Sequence, residues 1–429
     1  MIKKSVAFLT LLFFFSSHAA QYRESSVQTL ENGVTVVFVD ADESDNLLLL
    51  LCVSAGSNDD GDKHGVANLL NYVFTEKLRE NISADFIQSG SEIRSSIGHD
   101  QSIYYFYGKT KNLNAFIKNL GETFSDFSCR VDDLDAGKRV AKQQIFEEEQ
   151  KCPCCARESM YWHSGYGQGI CGDPDNVQNI CEEDIKAFAN NNHTNNRATV
   201  VIVGNVDKEQ ALQLVSKHFK ENRKSEIKRL AEPPHHGSTT MITRYSTQTS
   251  APIIEMYWRT HNYRKQKDET LALEIFASYL VAALQRQLVE MRLATAVSGS
   301  SSFWNYESGD FCLTVTLSPR IKVKEGIIAI LTEVKNIADE DIFTEEFACA
   351  RRKVRESSDV LRHDRDISEF CTWFAHKIGA GYSFDFLKTY PEAVDKVDLN
   401  AAAAQGKAIF KRDPCTIFAL IPLKQKNAD

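Results

Sequence analysis

The chain has 429 residues and carries 50 basic and 58 acidic side chains, which give a formal net charge of −8 at pH 7. An acidic protein of this kind repels phosphate backbones and anionic headgroups, so nucleic acid and anionic membranes are excluded as its main partners. Hydrophobic residues make up 43% of the sequence, as in globular proteins. The length exceeds what one hydrophobic core usually serves, so two or three domains are expected.

The first twenty residues are predicted to form a cleaved signal peptide. Lys3 and Lys4 precede an apolar segment from Val6 to Phe15, and small residues flank a cleavage point at Ser17-His18-Ala19. The apolar segment is too short to span a bilayer, and no later segment has the required length. We therefore expect an exported protein without a membrane span, located in the periplasm of a Gram-negative bacterium.

The cysteines are unusually many for an exported protein, and their number, eleven, is odd. A group of potential metal ligands falls in one segment: Cys152, Cys154, Cys155, His163, Cys171 and Cys181. A thiolate metal site is one interpretation, but the spacing is not that of paired zinc knuckles. Disulfides that staple this segment are the favoured prediction, although their connectivity cannot be read from the sequence.

The first half of the chain predicts a mixed α+β unit. Strands are indicated by the segments VQTLENGVTVVFVD, NLLLLLCVSAGS, SGSEIRSSIGHDQSIYYFYGK and ATVVIVGNVD. Helices are indicated by HGVANLLNYVFTEKL, NLNAFIKNLGETFSDF, VDDLDAGKRVAKQQIFEEEQ, CEEDIKAFANNNH and KEQALQLVSKHF.

The second half predicts a similar succession of strands and helices, after a break that is rich in charged residues and proline. That break predicts a linker over residues 222–245, between a domain at 21–221 and a domain at 246–429. Strands are then indicated by APIIEMYWRTH and DFCLTVTLSP, and helices by DETLALEIFASYLVAALQRQLVEMR, KVKEGIIAILTEVKNI and TEEFACARRKVRESSDVLR. The similar order of elements in the two halves suggests an internal duplication.

The helix predicted over His64–Leu78 has an unusual polar face. Its apolar residues recur at helical spacing and form one stripe. On another face Asn68, Asn71 and Tyr72 stand one above the other, at the spacing with which many enzymes place two metal ligands and a general base.

In order along the chain, several segments resemble the pitrilysin/insulinase (M16) metallopeptidase family. LENGVTVVFVD, VSAGSNDDGDKHGVANLLNYVF and ATVVIVGNVDKEQALQLVSKHF are similar to the family's TLxNGLxVV, AGSxxE, GLAHFLEHMLF and VVVxGDVD segments. LQRQLVEMRLATAVSGSSS is similar to LYxxLREKxGLAYSVSSS of the second domain. The resemblance covers nearly the whole mature chain. It implies an α+β fold of two tandem M16-like (LuxS/MPP-like) domains, each a mostly antiparallel sheet backed by helices.

The family's zinc chemistry is not matched by these residues. In the family, the inverted motif H-x-x-E-H supplies two zinc ligands and the glutamate that takes a proton from the zinc-bound water. By the resemblance, Asn68 and Tyr72 fall in the histidine slots and Asn71 in the glutamate slot. An amide does not take up a proton near neutral pH, and a phenol loses its proton only near pH 10. Neither catalytic residues nor a bound zinc are therefore expected.

The family's third zinc ligand is a glutamate on a second helix. The resemblance places that slot near Val140 to Lys142, where no acid stands. Glu147, Glu148 or Glu149 is assigned to the family's supporting acidic position one to two turns later. Without three protein donors a catalytic zinc site is not expected.

The second half also departs from the family. The Arg and Tyr that help to hold substrate in the family fall near Val289 and Ala296. Arg286 or Arg292 could replace the Arg after a shift of one turn, whereas Tyr306 lies ten residues beyond the expected position.

By the resemblance, a bound peptide would pair with the edge strand that carries Ser95, Ser96 and Ile97. His99 is predicted to lie on the same strand, either as a functional group or as an ordinary solvent-facing side chain. The pair His235-His236 in the linker is interpreted as surface residues, because no acid accompanies it at a fixed offset.

These observations favour an exported, non-catalytic M16 subunit or pseudoenzyme. It would help to enclose a peptide or unfolded polypeptide beside a zinc-bearing M16 partner that hydrolyses it. One alternative is an active zinc metalloendopeptidase with unusual ligands, such as His99 or the cysteine group. Another is a peptide-binding scaffold without a peptidase partner.

Overall fold

The computed structural model describes residues 24–41, 45–82, 90–151, 159–161, 164–220, 224–226, 238–359 and 367–423. The predicted signal peptide, the group Cys152, Cys154, Cys155 and His163, and the pair His235-His236 lie outside these residues.

A six-stranded sheet forms the centre of the first half. Its strands are β1 Ser25–Thr29, β2 Thr35–Val39, β3 Asn46–Val53, β4 Glu92–Ile97, β5 Ser102–Lys109 and β6 Ala198–Gly204. Their order is β1-β2-β6-β3-β5-β4, and every neighbouring pair is antiparallel except β2 and β6. The predicted strands are confirmed, and β4 lies at one edge of the sheet.

Helices cover this sheet, and all of them except the short helix at Pro174–Asn179 lie at predicted positions. They are α1 Val66–Glu80, α2 Leu113–Ser125, α3 Val131–Lys151, α4 Pro174–Asn179, α5 Glu182–Asn192 and α6 Lys208–His218. The apolar stripe of α1 is buried, with Leu70, Val73 and Phe74 fully enclosed, because a helix with one apolar face gains free energy by packing that face on a sheet.

The second half is built on a five-stranded sheet and further helices. Its strands are β7 Thr240–Ser246, β8 Ile253–Thr260, β9 Ala294–Ser301, β10 Gly309–Leu317 and β11 Thr416–Pro422. The helices are α7 Lys267–Glu290, α8 Val323–Asp339, α9 Thr344–Ser358, α10 Ile367–Gly379, α11 Phe384–Lys396 and α12 Leu399–Phe410.

The two sheets repeat one topology. In the first half the strands from β2 to β6 have the spatial order β2-β6-β3-β5-β4, and in the second half the order is β7-β11-β8-β10-β9. In both sheets the first and last of these strands pair parallel, and all other neighbours are antiparallel. The second strand of each set leads into a long helix, α1 or α7. This repetition is what an internal duplication predicts.

The end of the predicted linker is a strand. Residues 222–245 were assigned to the connection between domains, whereas the sheet of the second half already begins at Thr240 with β7. Most side chains of β7 are exposed, and the strand pairs with β11 at the edge of the sheet. An exposed edge strand has no buried face, so it lacks the apolar alternation by which the sequence would reveal it.

Strand β3 explains how the two halves are joined. Leu47, Leu49 and Leu51 contribute to the core beneath the helices of the first half, whereas Leu48 and Leu50 join a core that is formed mainly by the second half. Helix α10 contacts β3 and β5 on that second face. The continuous apolar run of β3 thus reflects burial on both faces.

Candidate functional site

A cleft of about 390 Å³ opens between α1, α3 and the edge strand β4. It brings together the six residues assigned from the sequence to the motif slots and to peptide binding: Asn68, Asn71, Tyr72, Ser95, Ser96 and Ile97. Their proposed roles remain predictions, but their position in one cleft follows from the packing of α1 against β4.

The start of α1 is fixed by Asp60 and Gly65. One carboxylate oxygen of Asp60 accepts a hydrogen bond from Gly65 N at 2.7 Å, and the other accepts one from Ala67 N at 3.0 Å. Gly65 has φ of 96°, and a Cβ there would lie 2.8 Å from the carbonyl oxygen of Cys171. Only glycine fits this position without strain. Burial raises the pKa of Asp60 to about 7, although the two backbone N–H groups oppose the shift.

Stability should depend on pH through Asp60. The folded protein holds the Asp60 proton until about pH 7, whereas the unfolded chain releases it near the ordinary pKa of 3.8. The stabilisation is therefore complete below the unfolded pKa and is lost as the pH rises through the folded pKa. We therefore compare wild type with Asp60→Asn. Relative to this variant, wild type should lose about 3 kcal/mol of its free energy of unfolding between about pH 5 and about pH 7.

Urea unfolding of both proteins at the two pH values measures this difference. The neutral amide cannot titrate, so the variant serves as the internal reference. A difference that stays constant across the range would show that Asp60 is ionised in the folded protein throughout.

The two asparagines of the motif slots are buried, with 8% and 6% of their surfaces exposed at Asn68 and Asn71. Asn68 Nδ2 donates to Gln144 Oε1 of α3 at 3.3 Å, and Asn71 Nδ2 donates to the carbonyl oxygen of Ser96 on β4 at 3.3 Å. The amides therefore tie α1 to both neighbouring elements through uncharged hydrogen bonds.

Tyr72 packs over Gly137 of α3, where an added Cβ would lie 3.0 Å from the tyrosine ring. Burial, together with the nearby carboxylate of Glu76, raises the pKa of the Tyr72 phenol. The phenolate form that a metal would require is therefore even less accessible than in a free tyrosine.

The α3 wall of the cleft differs in part from the sequence prediction. Val140 and Ala141 of the predicted third-ligand slot line the cleft, but Lys142 instead donates to the side chain of Gln178 on α4. Gln144, one turn later, meets Asn68 directly. Gln144 was not predicted as a site residue, although it lies seven residues after Gly137 and so on the same helix face.

The side chains present do not suit the zinc ion of the resembled family. The motif slots offer two neutral amides and a protonated phenol, and α3 adds a third amide, none of which is a good zinc donor. Among the residues described, no group of three or more His, Cys, Asp or Glu side chains is placed to hold a metal. The expectation that the chain binds no zinc stays a prediction.

The strand β4 forms the open side of the cleft. Among the strands described it pairs only with β5. Ser95 Oγ lies 2.8 Å from Thr75 Oγ1 of α1, and Ser96 Oγ lies 3.0 Å from the hydroxyl of Tyr105 on β5. An edge strand presents backbone N–H and C=O groups to which an extended peptide can add as a further strand.

His99 does not lie on β4, contrary to the sequence prediction. The strand ends at Ile97, and a tight turn follows in which Gly98 N donates to the carbonyl oxygen of Gln101 at 2.8 Å. His99 Nδ1 lies 3.0 Å from Ser57 Oγ, and its ring packs edge-on against Tyr166. The chain turns directly after Ile97, so the His99 side chain supports the turn and is not one of the residues that line the cleft.

The second half holds this turn through Asp100, which is 1% exposed. Asp100 accepts hydrogen bonds from Asn58 Nδ2 at 3.0 Å, the Tyr166 hydroxyl at 2.9 Å and the backbone N–H of Tyr306 at 2.8 Å. Tyr306 therefore contacts the first half by its backbone. Gln101 also reaches the second half, because its Nε2 lies 3.0 Å from His376 Nδ1 of α10.

The two arginines considered as substitutes for the family's Arg lie away from the cleft lining. Arg286 of α7 forms an ion pair with Glu346 of α9 at 2.5 Å. Arg292 stands in the turn between α7 and β9 with φ of 59°. Val289 is on α7 and Ala296 on β9, at the positions that the resemblance gave for the family's Arg and Tyr.

Cys171 and Cys181 are the members of the cysteine group that the structure describes. Cys171 Sγ lies 3.7 Å from Gln144 Oε1, and Cys181 precedes helix α5. The prediction of disulfides in this segment depends on residues outside the described part and stays a prediction.

Comparison with known proteins agrees with the fold and the order of motifs. The family model described as "Peptidase M16 inactive domain" matches residues 179–354, from α4 to α9. This part of the chain matches the M16 family, and the chain as a whole is similar to M16 zinc proteases. The zinc protease PqqE of Helicobacter pylori is 22% identical over 349 residues, which cover 75% of this chain and 77% of the relative.

Two solved structures of M16-like proteins share the fold. A peptidase M16 inactive domain from Pseudomonas fluorescens has a TM-score of 0.79 at 14% identity and covers 93% of this chain and 98% of its own. The first half of the periplasmic protease PqqL from Escherichia coli has a TM-score of 0.76 at 14% identity, with 94% of this chain and 93% of that chain covered. Within the residues described here, no helix is long and apolar enough to cross a membrane.

Proposed function

We propose that this M16 peptidase-like protein is a non-catalytic subunit of an exported protease. It would hold an extended peptide along β4, while a partner with an intact zinc motif hydrolyses the peptide. The observation that carries the proposal is the combination found in one cleft: an accessible strand edge beside a helix whose ligand and base slots hold Asn68, Asn71 and Tyr72.

The chemistry of the cleft supports the binding part of the proposal. Serine and threonine hydroxyls, amides and the backbone of β4 can all form hydrogen bonds with a peptide. The base slot holds the amide of Asn71, which does not accept a proton, and the one carboxylate among the described lining residues, Glu76, forms an ion pair with Arg79.

Two features support export and a partner. The N-terminal sequence has the pattern of a signal peptide, and the similar PqqL of E. coli is named a periplasmic protease. A chain that keeps the fold and lacks the catalyst needs another subunit if it is to take part in peptide hydrolysis.

Purified mature protein tests the non-catalytic assignment directly. We expect less than stoichiometric zinc by elemental analysis and no chelator-sensitive cleavage of an unfolded protein substrate. Co-purification from the native host should recover an M16 protein that carries H-x-x-E-H. Stoichiometric zinc with cleavage by the chain alone would support the alternative of an unusual metallopeptidase, and recovery of no such partner would support a scaffold.

Filling the cleft should weaken peptide binding. Val140 is 38% exposed and lines the cleft from α3, so Val140→Trp places an indole beside β4 without altering the strand. We expect the affinity for a fluorescently labelled unfolded polypeptide, measured by anisotropy, to fall by about tenfold or more, because the bulky ring competes for the space of the peptide.

The matched control is Ile328→Trp on α8, an exposed position outside the cleft. It adds the same ring to the surface and should leave the affinity unchanged. Equal binding by wild type and Val140→Trp would mean that the peptide does not occupy this cleft.

A further inference from the structure

The edge strand β4 offers a peptide the backbone groups of alternate residues only. It pairs with β5 in unbroken register, and the hairpin beyond it is closed by the hydrogen bond from Gly98 N to the Gln101 carbonyl. Hydrogen-bonded pairs recur at every second residue of an antiparallel ladder, so residues an even number of positions from Gly98 face β5. Ile93, Ser95 and Ile97 lie at odd offsets and direct their N–H and C=O groups outward, to the open edge.

The outward carbonyl of Ile93 already has a donor. Arg79, in the last turn of α1, donates to it from Nη2 at 2.9 Å. Nη1 of the same guanidinium lies 2.5 Å from the carboxylate of Glu76, one turn earlier on the helix. A planar guanidinium that is bonded through two nitrogens is fixed in orientation as well as in position. Helix α1 thus occupies one backbone acceptor of the edge that a peptide would use.

Ser95 and Ile97 are left to a peptide. Both line the cleft together with Arg79, whereas Ile93 does not. The side chain of Ser95 turns to α1, where its hydroxyl lies 2.8 Å from Thr75 Oγ1. Within the described part of the chain, the Ile93 carbonyl is the one outward backbone group of β4 to which a side chain donates. The open stretch of the edge is therefore two outward residues long.

The occupied carbonyl changes what a peptide gains beside Ile93. A peptide that adds as a strand aims one N–H at each outward carbonyl of the edge, whether it runs parallel or antiparallel to β4. At Ile93 the Arg79 guanidinium already holds that place. A peptide N–H without an acceptor costs free energy, whereas proline has no N–H and loses nothing there.

We propose that Arg79 is a specificity-determining residue, which limits strand pairing to Ser95 and Ile97 and admits proline at the peptide position beside Ile93. This inference rests on the peptide-binding function proposed above and names its substrate class. The preferred substrate is an extended polypeptide segment that is interrupted by proline at the end of the paired stretch.

Hydrogen–deuterium exchange at single residues tests how far the pairing extends. The probe is an eight-residue peptide of alternating threonine and valine, added at saturating concentration to the mature protein. In wild type we expect the amides of Ser95 and Ile97 to exchange about tenfold or more slowly with peptide bound, and the amide of Ile93 to be unchanged. In Arg79→Met the amide of Ile93 should slow as well, because its carbonyl is then free for pairing.

The matched control is Arg139→Met on α3. Arg139 is exposed, lies outside the cleft lining and carries the same charge near Tyr72. Its variant should show the exchange pattern of wild type, which separates the bond to β4 from the charge of the guanidinium.

A second peptide tests the tolerance of proline. It has proline in place of the central threonine of the probe, and anisotropy with a fluorescent label measures both affinities. Wild type and Arg139→Met should bind the two peptides equally within about twofold. Arg79→Met should prefer the proline-free peptide by about tenfold, because proline cannot donate to the released carbonyl.

The melting temperature shows whether Arg79→Met is folded, and Arg79→Gln is a second variant with the same expected binding. Slowed exchange at Ile93 in wild type would overturn the proposal, because Arg79 would then give way to the peptide. Equal discrimination against proline by wild type and both Arg79 variants would also overturn it. Unchanged exchange along all of β4 in every protein would instead remove the peptide-binding function itself, and the inference with it.

Discussion

Four combined substitutions are expected to convert the cleft between α1, α3 and β4 into a site that retains zinc: Asn68→His, Asn71→Glu, Tyr72→His and Gln144→Glu. The three changes on α1 recreate the family's inverted motif, and the fourth places a carboxylate where Gln144 now meets Asn68. Imidazole and carboxylate donors on two packed helices then supply the three ligands that a catalytic zinc requires. Zinc per chain after dialysis, measured by elemental analysis, should rise from below stoichiometric to one.

Matched variants identify the third ligand. The triple variant that keeps Gln144 should bind zinc on the order of 100-fold more weakly than the quadruple variant, because it lacks one protein donor. A second quadruple variant with Val140→Glu in place of Gln144→Glu tests the slot that the sequence analysis favoured. Tight binding by the triple variant would place the third donor elsewhere on α3.

Folding of these variants can be followed without activity. Before zinc is added, a glutamate at the buried position 71 should lower the melting temperature, because a carboxylate is costly to bury without a partner. Zinc should restore the melting temperature, because it binds only the folded state. A variant that is folded yet binds no zinc would show that the motif slots have lost the required geometry.

Asp100→Ala should be among the most destabilising single substitutions in this chain. The substitution removes one carboxylate that accepts hydrogen bonds from Asn58, Tyr166 and Tyr306. This carboxylate joins the β4–β5 turn to the second half. The Tyr166 hydroxyl left behind is buried and the other two donors are partly buried, so they cannot all reach water, and we expect a loss of about 3 to 5 kcal/mol in the free energy of unfolding. Urea unfolding followed by circular dichroism measures it.

Asp45→Ala is the control for this prediction. Asp45 is 73% exposed and pairs only with Lys109 among the ion pairs described, so its variant should unfold at the same urea concentration as wild type. Asp100→Asn keeps the shape of the side chain and one acceptor oxygen, and its urea midpoint should lie between those of wild type and Asp100→Ala. Equal midpoints for the two Asp100 variants would show that the charge, and not the number of acceptors, stabilises the turn.

Local sequence pattern was enough to predict the elements that bury a continuous apolar face. The run of leucines in β3 and the stripe of α1 have this property, and both elements are found where they were expected. The exposed strand β7 was assigned to a linker, because its pairing with β11 leaves no apolar alternation in its own sequence. The placement of His99 failed for a similar reason, since a turn at Gly98 depends on backbone hydrogen bonds and not on composition.

The sequence by itself determined a helix whose polar face carries Asn68, Asn71 and Tyr72, and it determined the chemistry of that face, because donor chemistry follows from residue type alone. Only the tertiary structure decided which side chains these residues meet. Gln144 reaches Asn68 across 76 positions of the chain, and Asp100 reaches the backbone of Tyr306 across 206. The edge position of β4 likewise arises from the packing of distant segments. Such contacts are set by the shapes of whole sheets and helices, and no local pattern in a single sequence encodes them.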